Sequence, residues 1–184
     1  NGIIIDEAHH NQIINSSANG GQKDIKISFA TNNTILNTSF NRSKIFVDDS
    51  SDVAVQWYLN LPVQYPNGTA ITDINKSIVH DARPDLTNIT TTETLVAVTE
   101  AVVSAAAGYV NWTEYATYQA NYSVIAFGPT WNATKKFVLN ESKSFVLTGA
   151  GDVTQNITLE NDLTCVGGCF NFTVPNIIFD GQNN

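Results

Sequence analysis

The chain has no methionine, two cysteines, three histidines and nine basic residues among its 184 positions. Without methionine, Asn1 is not a translation start, and the expectation is that a secretory signal peptide has been removed. Nine basic residues against seventeen acidic ones leave a net charge of −8, and Lys135-Lys136 is the lone basic pair. Nucleic acid and anionic membrane surfaces need clustered Lys and Arg, so both are excluded as partners. The longest nearly apolar stretch, Ala101 to Val110, is interrupted by Ser104 and falls short of the ~20 residues that cross a bilayer. No membrane span is expected. Charged residues make up 14% of the chain, against ~25% in a typical domain. Neutral polar residues take their place: 22 Asn, 20 Thr and 12 Ser. A mass of 20.0 kDa suits one domain. A core of that size needs no structural metal or cofactor.

Asn-x-Ser/Thr is the acceptor for N-linked glycans and implies export and an exposed asparagine. It begins at Asn15, Asn32, Asn37, Asn41, Asn67, Asn75, Asn88, Asn111, Asn121, Asn132, Asn140, Asn156 and Asn171. Chance at this composition would give about four such motifs, so a secreted glycoprotein is expected. Because residues i and i+2 of a strand share a face, a sequon in a strand directs its middle residue inward. Ile89, Trp112, Tyr122, Ile157 and Phe172 are such middle residues, and Tyr122-Val124-Ala126, Ile157-Leu159 and Phe170-Phe172-Val174 extend the pattern. These read as half-buried strands with sugars outside, which suggests an all-β, two-sheet sandwich of jelly-roll or immunoglobulin-like type.

Residues 1–15 carry Ile3, Ile4, Ile5, Ile13 and Ile14 around a polar stretch, and Ser16 to Gly21 reads as a flexible linker, leaving 22–184 as a single sandwich domain. Further strands are expected at Ile25–Phe29, Ile45–Val47, Val53–Val63, Ala70–Ile74, Tyr109–Tyr118, Tyr122–Phe127, Lys136–Leu139, Ser144–Leu147, Thr154–Leu159, Cys169–Val174 and Ile177–Phe179. Thr90-Thr91-Thr92-Glu93 matches a capping box, and Leu95, Val98, Val102 and Ala106 follow at helical spacing, which predicts one short helix over Thr92–Ala107. No internal repeat of useful length stands out.

Cys165 and Cys169, separated by Val166-Gly167-Gly168, read as a disulfide across a tight turn, since a redox pair usually has two intervening residues and no soft metal ligands lie nearby. His9-His10 beside Asp6 and Glu7 reads as a solvated tail rather than a metal site. His80-Asp81 near Arg83 and Asp85 reads as a loop with local ion pairing. Asp48-Asp49-Ser50-Ser51-Asp52 lacks the Gly and the terminal Glu of a calcium loop and reads as an acidic turn. Trp57-Tyr58, Trp112, Trp131, Tyr115 and Tyr118 are either a sugar-binding platform or core, and core is the plainer assignment. Nucleophile-elbow, zinc-protease and phosphate-loop motifs are missing, so no enzyme is expected.

A cut N terminus, a detachable apolar strand, an all-β body and dense sequons together resemble subunits of archaeal extracellular filaments, the threads and bundling pili. The resemblance implies a structural subunit that lends its N-terminal strand to a neighbouring copy, forming a glycan-coated homopolymer. It also raises Lys–Asn or Lys–Asp isopeptide links, for which Lys26, Lys44, Lys136 and Lys143 are the candidate lysines. The low Lys and Glu content departs from the usual pattern of hyperthermophile proteins.

Overall fold

Ile3, Ile25 and Ile45 each open a short aliphatic strand, and the three strands lie side by side in parallel. The computed structural model in which they do so describes residues 2–84, 87–104 and 121–181. The strands are β1 (Ile3–Asp6), β2 (Gln12–Ile14), β3 (Ile25–Ser28), β4 (Asn33–Leu36), β5 (Ile45–Val47) and β6 (Asp52–Asn60). Then come β7 (Val63–Gln64), β8 (Ala70–Ile71), β9 (Asn75–His80), β10 (Asn88–Thr91), β11 (Leu95–Ser104), β12 (Asn121–Phe127) and β13 (Trp131–Val138). Last are β14 (Lys143–Ser144), β15 (Leu147–Thr148), β16 (Gly151–Val153), β17 (Ile157–Thr158), β18 (Asp162–Cys165), β19 (Phe170–Phe172) and β20 (Phe179–Asp180). The described residues form two compact units: 2–58, 97–104 and 138–142, and then 59–84, 87–96, 121–137 and 143–181.

The first unit is a stack of coils. Ile3 pairs with Ile25 and Ile25 with Ile45, and Ile13 pairs with Ile35 and Ile35 with Val55. Each coil advances the chain by one strand spacing, so identical positions of successive coils sit on one another. Ile5, Ile27 and Val47 fill one inward column, and Ile35 and Val55 a second, all buried. The corners repeat as well. Positive φ recurs at Glu7 and Phe29 (50° and 49°), His10 and Asn32 (59° and 56°), and Asn15 and Asn37 (50° and 48°). Asparagine tolerates this left-handed region better than most residues, which suits it to three of these corners. β11 lies along the outer side of β6, with Gln56 Nε2 donating to Thr99 Oγ1 at 3.1 Å.

In the second unit the parallel mode continues where β14 pairs with the end of β6, β15 with β7, β16 with β19 and β17 with β20. An antiparallel sheet in the order β10-β9-β12-β13-β18 accompanies it. Its inner face carries Ile78, Tyr122, Val124, Ala126 and Ala133, all fully buried. Trp131 is 6% exposed, and its ring is flanked by Gly128 and Gly149, where an added Cβ would come within 2.1 and 2.4 Å of it.

The two-sheet sandwich is therefore overturned: the chain is all-β but a β-solenoid of stacked coils. Inward alternation is common to both architectures. What separates them is strand direction, and a full coil of 22 or 20 residues returns each strand parallel to its neighbour. The short helix is overturned too. Leu95–Ser104 is a strand, as its run of Val and Thr prefers. Thr91 Oγ1 does accept from Glu93 N–H at 3.0 Å, but the bond closes a turn before the strand. Residues 105–107 of that expected helix, and the expected Tyr109–Tyr118 strand, lie outside the described residues.

Residues 2–15 are the first coil, with β1 and β2 paired to β3 and β4 of the same chain. The stretch read as a linker is packed. Ala18 and Gly20 are buried, Ser17 bridges Ser39, and Gly20 N–H donates to Asp24 Oδ1 at 2.8 Å.

Candidate functional site

Of the thirteen sequon asparagines, Asn111 lies outside the described residues. The other twelve are all at the surface: Asn37 and Asn121 half-buried, the remaining ten exposed. By contrast Asn33 and Asn161, 1% and 2% exposed, are not acceptor positions: Asn33 is the middle residue of the Asn32 sequon and Asn161 lies in none. Asn33 Oδ1 accepts from Asn11 N–H at 3.0 Å and its Nδ2 donates to Ala8 O at 3.2 Å, tying the first two coils together from inside. Asn161 accepts from Thr148 N–H through Oδ1 and donates to Thr148 O and Asp162 O. The middle residues behave unevenly. Tyr122 is fully buried, Ile89 and Ile157 half-buried, and Phe172 is 53% exposed on the outer strand β19. Trp112 is outside the described residues.

A polar cluster that the sequence did not disclose sits in the first unit. Glu100 is 8% exposed and accepts from Arg42 Nη2 on both oxygens, at 3.0 and 2.9 Å. Trp57 Nε1–H donates to the same carboxylate, and Arg42 Nη2 also reaches Asn140 O at 2.8 Å while the guanidinium lies over the Trp57 ring. Arg42 is held in place by the single turn Arg42–Lys44, which Asn41 caps through Oδ1. Every charge in the cluster is paired within the chain, so its chemistry is structural. In the second unit Lys76, 2% exposed, donates from Nζ to Ile74 O and Thr92 O. Burial holds its pKa below the ordinary lysine value, against the opposing pull of Glu93.

Two aspartates lock coil corners. Asp24 Oδ2 accepts from Asn41 N–H and Oδ1 from Gly20 N–H, each at 2.8 Å, with Lys44 Nζ 4.0 Å away. The Asn41 amide foremost, then Gly20 and Lys44, hold its carboxyl below the ordinary 3.8 against the pull of desolvation. Asp48 is likewise lowered, first by the Ser51 hydroxyl and, against desolvation, by Phe29 N–H and Ser50. Those bonds use both Asp48 oxygens, leaving the 48–52 turn as an acidic corner. A folded pKa below the unfolded one stabilises above about pH 4 and loses that stabilisation as pH falls through the folded value. Thermal melts between pH 6 and pH 2 are therefore expected to stay level to about pH 4 and then drop, and the drop should be shallower in Asp24→Asn. An unchanged acid limb in that variant would mean the carboxylate does not hold the corner.

Cys165 and Cys169 form a disulfide around a turn in which Gly167 takes φ 91° and Val166 is 85% exposed. It ties the end of β18 to the start of β19 and indicates an oxidising environment. Trp57 and Trp131 are 7% and 6% exposed, which leaves neither ring as a sugar platform; Trp112, Tyr115 and Tyr118 are outside the described residues. His9 Nδ1 meets Thr31 N–H and Oγ1, each at 3.0 Å, a cross-coil contact. Buried His80 accepts on Nδ1 from the amides of Ala82 and Arg83 and tilts against Tyr122, shaping its loop; Asp85 is outside the described residues. Of the lysines considered for isopeptide links, Lys44 makes an ion pair with Asp24 and a hydrogen bond to Gly20 O. Among the described residues no group of three or more His, Cys, Asp or Glu could hold a metal ion. No helix among them is long and apolar enough to cross a membrane.

Fold and surface together define an all-β, disulfide-bearing solenoid whose twelve described sequon asparagines reach the surface. No family model, curated protein or solved structure matches the chain.

Proposed function

We propose that the chain is a secreted, N-glycosylated structural protein without catalytic activity, and that its copies associate into an extracellular filament through the N-terminal strand. The observation that carries the glycoprotein reading is the sorting of asparagines: all twelve described acceptor positions reach solvent, while the two buried asparagines, Asn33 and Asn161, are not acceptors. The filament reading rests on the first coil. In a parallel pair alternate residues face one neighbour. Ile3 N–H and Glu7 N–H donate to Asp24 O and Ser28 O, so Ile4 and Asp6 present their amides on the other edge of β1. That edge has no strand partner among the described residues. Ile4 is 70% exposed beside it. Strand addition there supplies a neighbouring copy with a ready ladder and need not close on itself.

Electron microscopy of native material, with intact mass, tests both parts. Fibres and a mass well above 20.0 kDa are expected. Ile4→Pro removes one amide from the free edge and none from the β1–β3 pair, so it should abolish fibres while leaving the melting transition nearly in place. Fibres that persist in Ile4→Pro would refute assembly through β1, and a wild-type protein that stays monomeric at high concentration would refute the filament. A bare mass of 20.0 kDa would refute the glycoprotein.

A further inference from the structure

Two of the sequon asparagines are stacked on each other. Ile14 pairs with Leu36, and the next residues, Asn15 and Asn37, turn the corner with φ near 50°. Asn37 Nδ2 donates to Asn15 Oδ1 at 2.8 Å. Asn37 Oδ1 accepts in turn from Ser142 Oγ at 2.8 Å, and that serine also accepts from Tyr58 N–H. The Asn37 amide is thus held at both its oxygen and its nitrogen, and the residue is half-buried. Asn15, one coil out, is exposed and takes its ladder bond on oxygen.

An N-linked sugar replaces one hydrogen of Nδ2 and leaves Oδ1 free to accept. A sugar on Asn15 therefore keeps the ladder bond. A sugar on Asn37 must be accommodated at the nitrogen that makes that bond, beside the Ser142 contact. Neighbouring coils are only about 4.8 Å apart, so sugars on both residues would start one strand spacing from each other and compete for the same volume. We propose that in the folded protein Asn15 carries a glycan and Asn37 does not, its amide being kept as a rung of the coil ladder. This rests on the glycoprotein reading above.

Three other sequons serve as internal comparisons. Asn41, Asn67 and Asn156 use their Oδ1 atoms, accepting from the backbone amides of Ser43, Thr69 and Ile178. Those bonds are compatible with a sugar on nitrogen, and these positions should be occupied.

The test is site-resolved glycopeptide mass spectrometry, with electron-transfer fragmentation, on native protein first purified as its folded form. Glycans are expected on Asn15, Asn41, Asn67 and Asn156 and none on Asn37. Ser39→Ala, which destroys the Asn37 sequon, should leave the total glycan mass unchanged. A glycan on Asn37, alone or together with one on Asn15, or a loss of glycan mass in Ser39→Ala, overturns the ladder inference and leaves the glycoprotein reading standing. Sequons that are empty throughout overturn both.

Discussion

Gly20→Ala is expected to destabilise the protein by about 3 kcal/mol or more, at or beyond the upper end of ordinary overpacking. A Cβ on Gly20 would sit 1.6 Å from Lys23 O and 2.6 Å from Lys23 C. Both are backbone atoms, so no rotamer change relieves the overlap. Moving the corner would also break the Gly20 N–H bond to Asp24 Oδ1 and, with it, the arrangement that joins Asp24 to Asn41 N–H. Gly21 is the matched control, because an added Cβ there meets nothing within 4 Å. Denaturant unfolding of the two variants makes the comparison, and hydrogen exchange at Ile3–Asp6 should show loss of protection in Gly20→Ala alone. Equal stability of the two would show that the 16–21 stretch behaves as the flexible linker its composition suggests.

Glu100→Ala is expected to cost about 3 kcal/mol, the lower end of the range for breaking a buried ion pair. The lower end applies because the Arg42 side chain keeps 30% of its exposure while that of Glu100 keeps 7%. Removing the carboxylate leaves the Trp57 indole N–H without its acceptor and frees Arg42 from its two-oxygen contact. For a chain of this length each kcal/mol moves the melting temperature by roughly 2–4 °C, so a fall of roughly 10 °C follows. Glu100→Gln keeps an acceptor of the same shape and should lose less. A melting temperature unchanged in Glu100→Ala would mean that the cluster does not hold β11 to the first unit.

Strand content, the disulfide and the surface position of the twelve described sequons are legible in the sequence. Each of these depends on local chemistry: β-branched and aromatic alternation, two cysteines four residues apart with glycines between, and a polar asparagine two residues from a polar Ser or Thr on the same strand face. The sequence also contained the coil. Ile3, Ile25 and Ile45 are each followed two residues later by Ile5, Ile27 and Val47, and ten residues later by Ile13, Ile35 and Val55. That column keeps no fixed period, because the first coil has 22 residues and the second 20.

Other features belonged to the tertiary structure alone. Alternation states which face is buried but not whether the next strand runs parallel or antiparallel, and that choice separates a solenoid from a sandwich. Leu95–Ser104 offers apolar residues at helical spacing and at strand spacing together, and the ladder available beside β6 decides for the strand. Glu100 and Arg42 stand 58 positions apart, and nothing local marks either as the partner of a buried charge. Asn15 and Asn37 read as two equivalent sequons, and only stacking one coil on another makes one of them the hydrogen-bond donor to the other. Local chemistry is written residue by residue, whereas contacts between coils depend on chain segments whose proximity no single stretch encodes.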